Sequence, residues 1–224
     1  MVEIDLSSAN LGRVAGQDVD MLMIANQVVW QVPSADGPYY LNDHAPITPN
    51  SFNDGTPNIV IGHLVLFHND GFVTGIRWND LTAAAGNWIL GLWDADTADG
   101  RYPDGPATTR IATKTVVSTG AGLRDTTLDT PVAVEVGKVY VVSRYSETGY
   151  YAHTTSFSAG SHGAYTDADP VYVPSAGEDL SSINPEWTDA ERSLYRIGGG
   201  DTYPVNPGIS DPFYGISPIF FKSL

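Results

Sequence analysis

The sequence predicts an all-β fold: an antiparallel β-sandwich of jelly-roll type, preceded by a small N-terminal β-hairpin unit. Three observations carry that expectation. Runs rich in Val, Ile, Thr and aromatic residues recur along the chain, and clusters of Gly, Pro, Asn and Asp separate them. No long segment has a helical period, and only Glu186 to Ser193, after Pro185, suits a turn or two of helix. The length of 224 residues fits one sandwich-sized domain with an appendage.

The first unit, residues 1–32, holds VDMLMIANQVVWQV (19–32), two strand-like runs around Ala25-Asn26. Asn suits a hairpin turn, although the favoured type places Gly after it. An isolated hairpin is marginal in water, so this unit is expected to pack on something else and is read as a docking element. Residues 33–56 are rich in Pro, Gly, Asn and Asp and read as a linker.

The sandwich is assigned to residues 57–224. Its expected strands are NIVIGHLVLF (58–67), GFVTGIRW (71–78), NWILGLWDA (87–95), TRIATKTVVS (109–118), PVAVEV (131–136), KVYVVSRY (138–145) and YYAHTTSF (150–157). Weaker runs follow at 171–174 and 193–198, and YGISPIFF (214–221) closes the chain. Trp78, Trp88 and Trp93 sit inside strand patterns and are expected in the core. The stretch from Ser158 to Pro212 is loop-heavy, and long irregular stretches in compact domains are usually functional or mobile. A binding surface is expected there.

Composition excludes several classes of function. The chain has no cysteine, which removes disulfides, thiolate nucleophiles and Cys-based zinc sites. With 11 basic and 26 acidic residues the formal charge is −15, which repels nucleic acid and anionic membranes alike. The opening MVEIDLSSAN has neither the basic nor the apolar region of a signal peptide, and no apolar run reaches bilayer length. The expected route is synthesis in a host cytoplasm and release by lysis.

No catalytic pattern emerges. The stretch SAGSHG (158–163) lacks the spacing of a nucleophile elbow, and no zinc-protease, P-loop or dinucleotide motif occurs. His63 and His68 are five apart on a strand, hence on opposite faces and poor co-ligands. The acids cluster in turn-like contexts such as DTTLDT (125–130) and TDADP (166–170), where a solvated turn is the default role. GLWDADTADGRY (91–102) crowds Asp94, Asp96 and Asp99 before Gly100, but a calcium loop counted from Asp94 fails at its fifth, sixth and twelfth positions. That run reads first as an acidic hairpin tip, with a calcium site as the alternative. An enzyme is not expected, and no cofactor or metal is assigned.

The aromatics suggest binding. Exposed rings on a sandwich stack against sugars through apolar contact, and Tyr150, Tyr151, Trp187 and Tyr203 are the candidate ligand-binding residues.

Taken together, GFVTGIRW, GLWDAD, PVAVEVGKVYVVSRYSETGYYAHTTSF (131–157) and SLYRIG…DPFYGISPIFF (193–221) resemble a β-sandwich domain of unknown function frequent in secreted actinobacterial proteins. The resemblance runs in order over residues 57–224 and implies carbohydrate as a ligand; it carries no catalytic residues. Separately, VAGQDVDMLMIANQVVW resembles the short leader of actinobacteriophage minor tail proteins, with Ala25 where that pattern prefers Gly. Together they imply a phage virion protein, a minor tail or tail-tip component. It would join other virion proteins through its hairpin, act as a homo-oligomer, and attach to host cell-wall polysaccharide. The alternatives are a capsid or tail decoration protein with a purely structural role and a non-phage carbohydrate-binding module.

Overall fold

IVIGHLVLF lacks polar alternation, and every one of its nine residues is buried. A strand of that kind needs cover on both faces, and the architecture supplies it. The computed structural model describes residues 13–14, 17–18, 21–24, 27–31, 35–41, 50–53, 57–80, 86–95, 109–120, 122–153, 170–173, 193–198, 200–202, 204, 206–207 and 214–223.

Among these residues every regular element is a strand. In chain order they are β1 (Arg13–Val14), β2 (Gln17–Asp18), β3 (Met21–Ile24), β4 (Gln27–Gln31), β5 (Ala35–Tyr39) and β6 (Asn50–Asn53). Then come β7 (Ile59–Phe67), β8 (Gly71–Asp80), β9 (Asn87–Asp94), β10 (Thr109–Val117), β11 (Gly122–Val134) and β12 (Tyr140–Ser146). The last are β13 (Tyr150–His153), β14 (Val171–Tyr172), β15 (Ser193–Ile197), β16 (Asn206–Pro207) and β17 (Ile216–Ser223).

Two antiparallel sheets face each other. The larger runs β10-β9-β12-β7-β15-β16, with β14 also pairing β7, and the smaller runs β11-β8-β17-β5. The chain crosses repeatedly between them, as from β7 to β8 to β9 and from β10 to β11 to β12, so the layers are tied together throughout. The sandwich expectation holds.

Rings bridge the two layers. Trp78 of the small sheet lies 5.6 Å from Trp88 of the large one. Phe220 of the small sheet meets Phe67 of the large one at 4.7 Å, and Tyr140, on the same sheet as Phe67, packs edge-on against it at 5.5 Å. Ile61, Leu90, Leu92 and Val142 from one side and Val73, Ile76 and Ile216 from the other fill the space between. At about 25 cal/mol per Å² of apolar burial, this interlayer core dominates folding.

Trp93 is buried as expected, but on the other side of the large sheet from Trp88. Its indole N–H donates to Ser143 Oγ at 2.8 Å, and the Arg110 guanidinium lies 4.2 Å above its ring. Arg110 also forks onto the Asp201 carboxylate and donates to its carbonyl at 2.9 Å. Pro204 packs so near Gly62 that a Cβ there would stand 3.2 Å from its Cγ. Val60, Leu64, Leu66 and Val141 on this face are buried too. Part of the loop-rich stretch assigned to a binding surface thus serves as a third layer.

Three boundaries differ from expectation. The presumed linker contributes β5, the edge strand of the small sheet, anchored by Asp36 to Lys222 at 2.8 Å and by Tyr39 against Phe220. It also contributes β6, which pairs with β13. An edge strand tolerates the Pro and Gly that made this segment look like a linker. Third, DTTLDT is not a free turn: β11 begins at Gly122 and pairs with β8 as far as Thr127. Asp125 stands directly opposite Arg77 and accepts from it at 2.7 and 2.8 Å, a cross-strand charge pair that fits a turn-forming residue into a strand. The N-terminal β3 and β4 pair antiparallel as expected, in a two-stranded sheet of their own.

Candidate functional site

The smaller and larger sheets each end in an exposed strand on the same side of the sandwich, β11 and β10. Both break register there. β10 shifts between Arg110 and Ala112, and β11 shifts between Thr127 and Val132. The cause in β11 is local. Pro131 has no N–H for a ladder, and the residues from Leu128 to Pro131 bow out opposite Thr74 alone. The bow sends Leu128 into the core and leaves Asp129, Thr130 and Pro131 at the surface.

Between the bow and β10 lies a cleft of about 370 Å³. Ile111, Ala112 and Thr113 form one wall, and the residues from Leu128 to Val132 form the other. Its floor is apolar, and its rim carries two threonine hydroxyls and the Asp129 carboxylate. Lys114 of β10 forms an ion pair with Asp129 and so ties the two sheet edges together at the mouth. Exposed pairs of this kind add little stability, but this one leaves the rim without net charge.

Tyr150 and Tyr151, predicted as a binding platform, lie elsewhere. Both are half-buried against the core, on β13. Tyr151 meets His153 and Tyr214 edge-to-face, each at 5.8 Å. Tyr214 in turn packs on His63 at 5.3 Å, and its backbone N–H donates to His63 Nε2 at 2.9 Å. His63 is therefore a satisfied core residue, and burial pushes the His153 imidazole below its ordinary value. His68, the other histidine weighed as a ligand, stacks flat on Tyr172 at 4.1 Å. Trp187 and Tyr203 lie outside the described residues.

A third feature is internal. Arg144, fully buried on β12, stacks 4.2 Å above Trp88 and donates to the Asn79 carbonyl at 2.8 Å. Its Nε and other terminal nitrogen have no hydrogen-bond partner. Burial pushes this guanidinium down to about 9, and the charge of Asp80 opposes that shift, so it remains a cation at neutral pH. Asp80 is itself buried, accepting from Ser118 Oγ at 2.6 Å and the Thr119 N–H at 2.9 Å, with Arg124 Nε at 3.7 Å.

Among the described residues no group of three His, Cys, Asp or Glu side chains could hold a metal ion. Of the acidic run, Asp94 and Ala95 are described; the rest lies outside. Asp94 pairs with Thr109 across the β9–β10 ladder, so the run belongs to the connection between two paired strands. The cleft was not anticipated, because its walls meet only through folding. The one signal available was Pro131 inside a strand-like run.

A domain model described as a domain of unknown function, DUF4082, matches residues 46–207. The chain belongs to the DUF4082 family. The match takes in both walls of the cleft but stops short of β5 and β17, so the small sheet of this DUF4082 protein extends beyond the matched region. No curated protein matches the chain. Among solved structures, the clostridial cysteine protease Cwp84 after propeptide cleavage is similar, at 9% identity and a TM-score of 0.46. The alignment covers 82% of this chain and 39% of that one. This chain spans well under half the length of that protease.

Proposed function

We propose that this DUF4082 protein is a non-catalytic attachment protein of a phage tail, with the N-terminal hairpin as its docking unit and the sandwich as its glycan-facing module. The observation that carries this reading is the separate pairing of β3 with β4. Their strands, MLMI and QVVWQ, are largely apolar in sequence, and among the described residues they pair only with each other. An apolar hairpin of that size is not stable alone and favours addition to a neighbouring subunit. The leader resemblance over the same residues points the same way.

The sandwich supports the other half. Its walls are strands rather than loops, Asp36, Asp125, Asp129, Glu135 and Asp201 lie in ion pairs, and the chain's charge of −15 suits neutral polysaccharide better than polyphosphate. Many copies on one particle would let each weak contact add up to firm attachment. Deletion of residues 1–32 tests the docking half. The truncated protein should fold and stay soluble yet fail to enter particles, and its incorporation at the normal level would overturn the reading.

A further inference from the structure

We propose that the cleft between β10 and β11 is the carbohydrate subsite of this protein, taking one or two rings of a neutral, hydroxyl-rich sugar. The inference rests on the glycan-attachment reading and gives it a location. About 370 Å³ falls at the small end of the roughly 300–1,000 Å³ typical of ligand sites.

The chemistry of the walls selects the ligand. Ile111 and Val132, both partly buried, with Leu128 buried beneath them, offer an apolar floor to the C–H face of a sugar ring. Asp129 has an 80% exposed side chain, and a carboxylate has several lone-pair directions. Lys114 uses part of that capacity; the remainder can accept a pair of sugar hydroxyls. The threonine hydroxyls of Thr113 and Thr130 can both donate and accept. Because Lys114 and Asp129 neutralise each other, the rim favours neither an anion nor a cation.

A peptide strand is the obvious competitor for a cleft at a sheet edge, and the local structure disfavours it. Pro131 lacks the N–H such a strand would need, both edge strands are out of register here, and the Lys114–Asp129 pair spans the gap. These are the devices that keep sheet edges from pairing.

The test is a methyl NMR titration of the full chain with N-acetylglucosamine, galactose and methyl glucoside, run beside a pull-down on cell-wall polysaccharide. The methyls of Thr113, Leu128, Thr130 and Val132 should shift saturably with at least one sugar, and Asp129→Ala should weaken that binding at least tenfold. Thr130→Trp should fill the cleft and abolish it, with the shifts of Leu90 and Leu92 reporting that both variants stay folded. Sugar-induced shifts confined to methyls away from the cleft, or polysaccharide binding that both variants retain, would overturn the cleft while leaving glycan attachment intact. Cleft shifts without polysaccharide binding would uphold the subsite and remove the attachment reading. Silence in both measurements would overturn both.

Discussion

Removing the Asp80 carboxylate should be among the most damaging single changes at a polar residue of this protein. Asp80 has a side chain with no exposure, and it accepts from Ser118 Oγ at 2.6 Å and the Thr119 N–H at 2.9 Å. It is also the charge that opposes the burial penalty on Arg144. Asp80→Ala removes the acceptor of two hydrogen bonds and the nearby negative charge that opposes the burial of the Arg144 cation over Trp88. Two hydrogen bonds to an ionised acceptor at about 1.5–3 kcal/mol each set a loss of roughly 3–6 kcal/mol, to which the lost attraction for Arg144 adds. Urea unfolding at neutral pH, read as the shift in midpoint at constant slope, measures it directly. Adding Arg144→Met should recover part of the loss, because the stranded cation goes with it; the coupling between the two changes is expected at about 1–3 kcal/mol. A loss below about 1 kcal/mol for Asp80→Ala, or strict additivity in the double variant, would refute the assignment of Asp80 as the counter-charge.

Other consequences follow from packing and ionisation. Phe220→Ala empties the contact between layers and should cost about 3–5 kcal/mol in the same unfolding assay. Gly71→Ala places a Cβ against the Phe221 carbonyl and the Phe220 ring, and overpacking of about 1–3 kcal/mol should lower its midpoint. Gly122→Ala, whose Cβ would meet nothing within 4 Å but whose φ is +135°, should show only the backbone penalty. Burial lowers the His153 pKa, so the unfolded chain binds the proton more tightly. That contribution to stability is full above the unfolded value of about 6.5 and is lost as pH falls through it toward the folded one. Comparing urea midpoints of His153→Gln and the parent between about pH 7 and pH 5 should show a shallower decline for the variant.

Much of the sandwich was readable because β7, β8, β9, β12 and β17 are built from Val, Ile and aromatic residues in strand-length runs. What was not readable depended on partners far along the chain. Asp125 looks like a turn residue until Arg77 stands opposite it. Pro38 marks a linker until β5 proves to be an edge strand, the position where a missing N–H does least harm. Trp93 looks like any core aromatic, yet it faces the third layer pinned by Arg110 and Asp201. Here a signal was present: the β7 run, apolar on both faces apart from His63, already implies cover on both sides of the sheet. Tyr150 and Tyr151 follow a turn in the sequence, which suits an exposed platform, yet both pack half-buried against the core on a strand that pairs with β6. The cleft has no sequence pattern at all. It exists because two irregularities, in β10 and β11, meet at one edge.

The most direct test of the central claim is retention of a multivalent display of the protein on intact actinobacterial cells, with and without soluble cell-wall polysaccharide as competitor and with and without a calcium chelator. Retention that the free polysaccharide abolishes and the chelator leaves unchanged is expected. Absence of retention on every envelope fraction, or retention that the polysaccharide does not reduce, contradicts it.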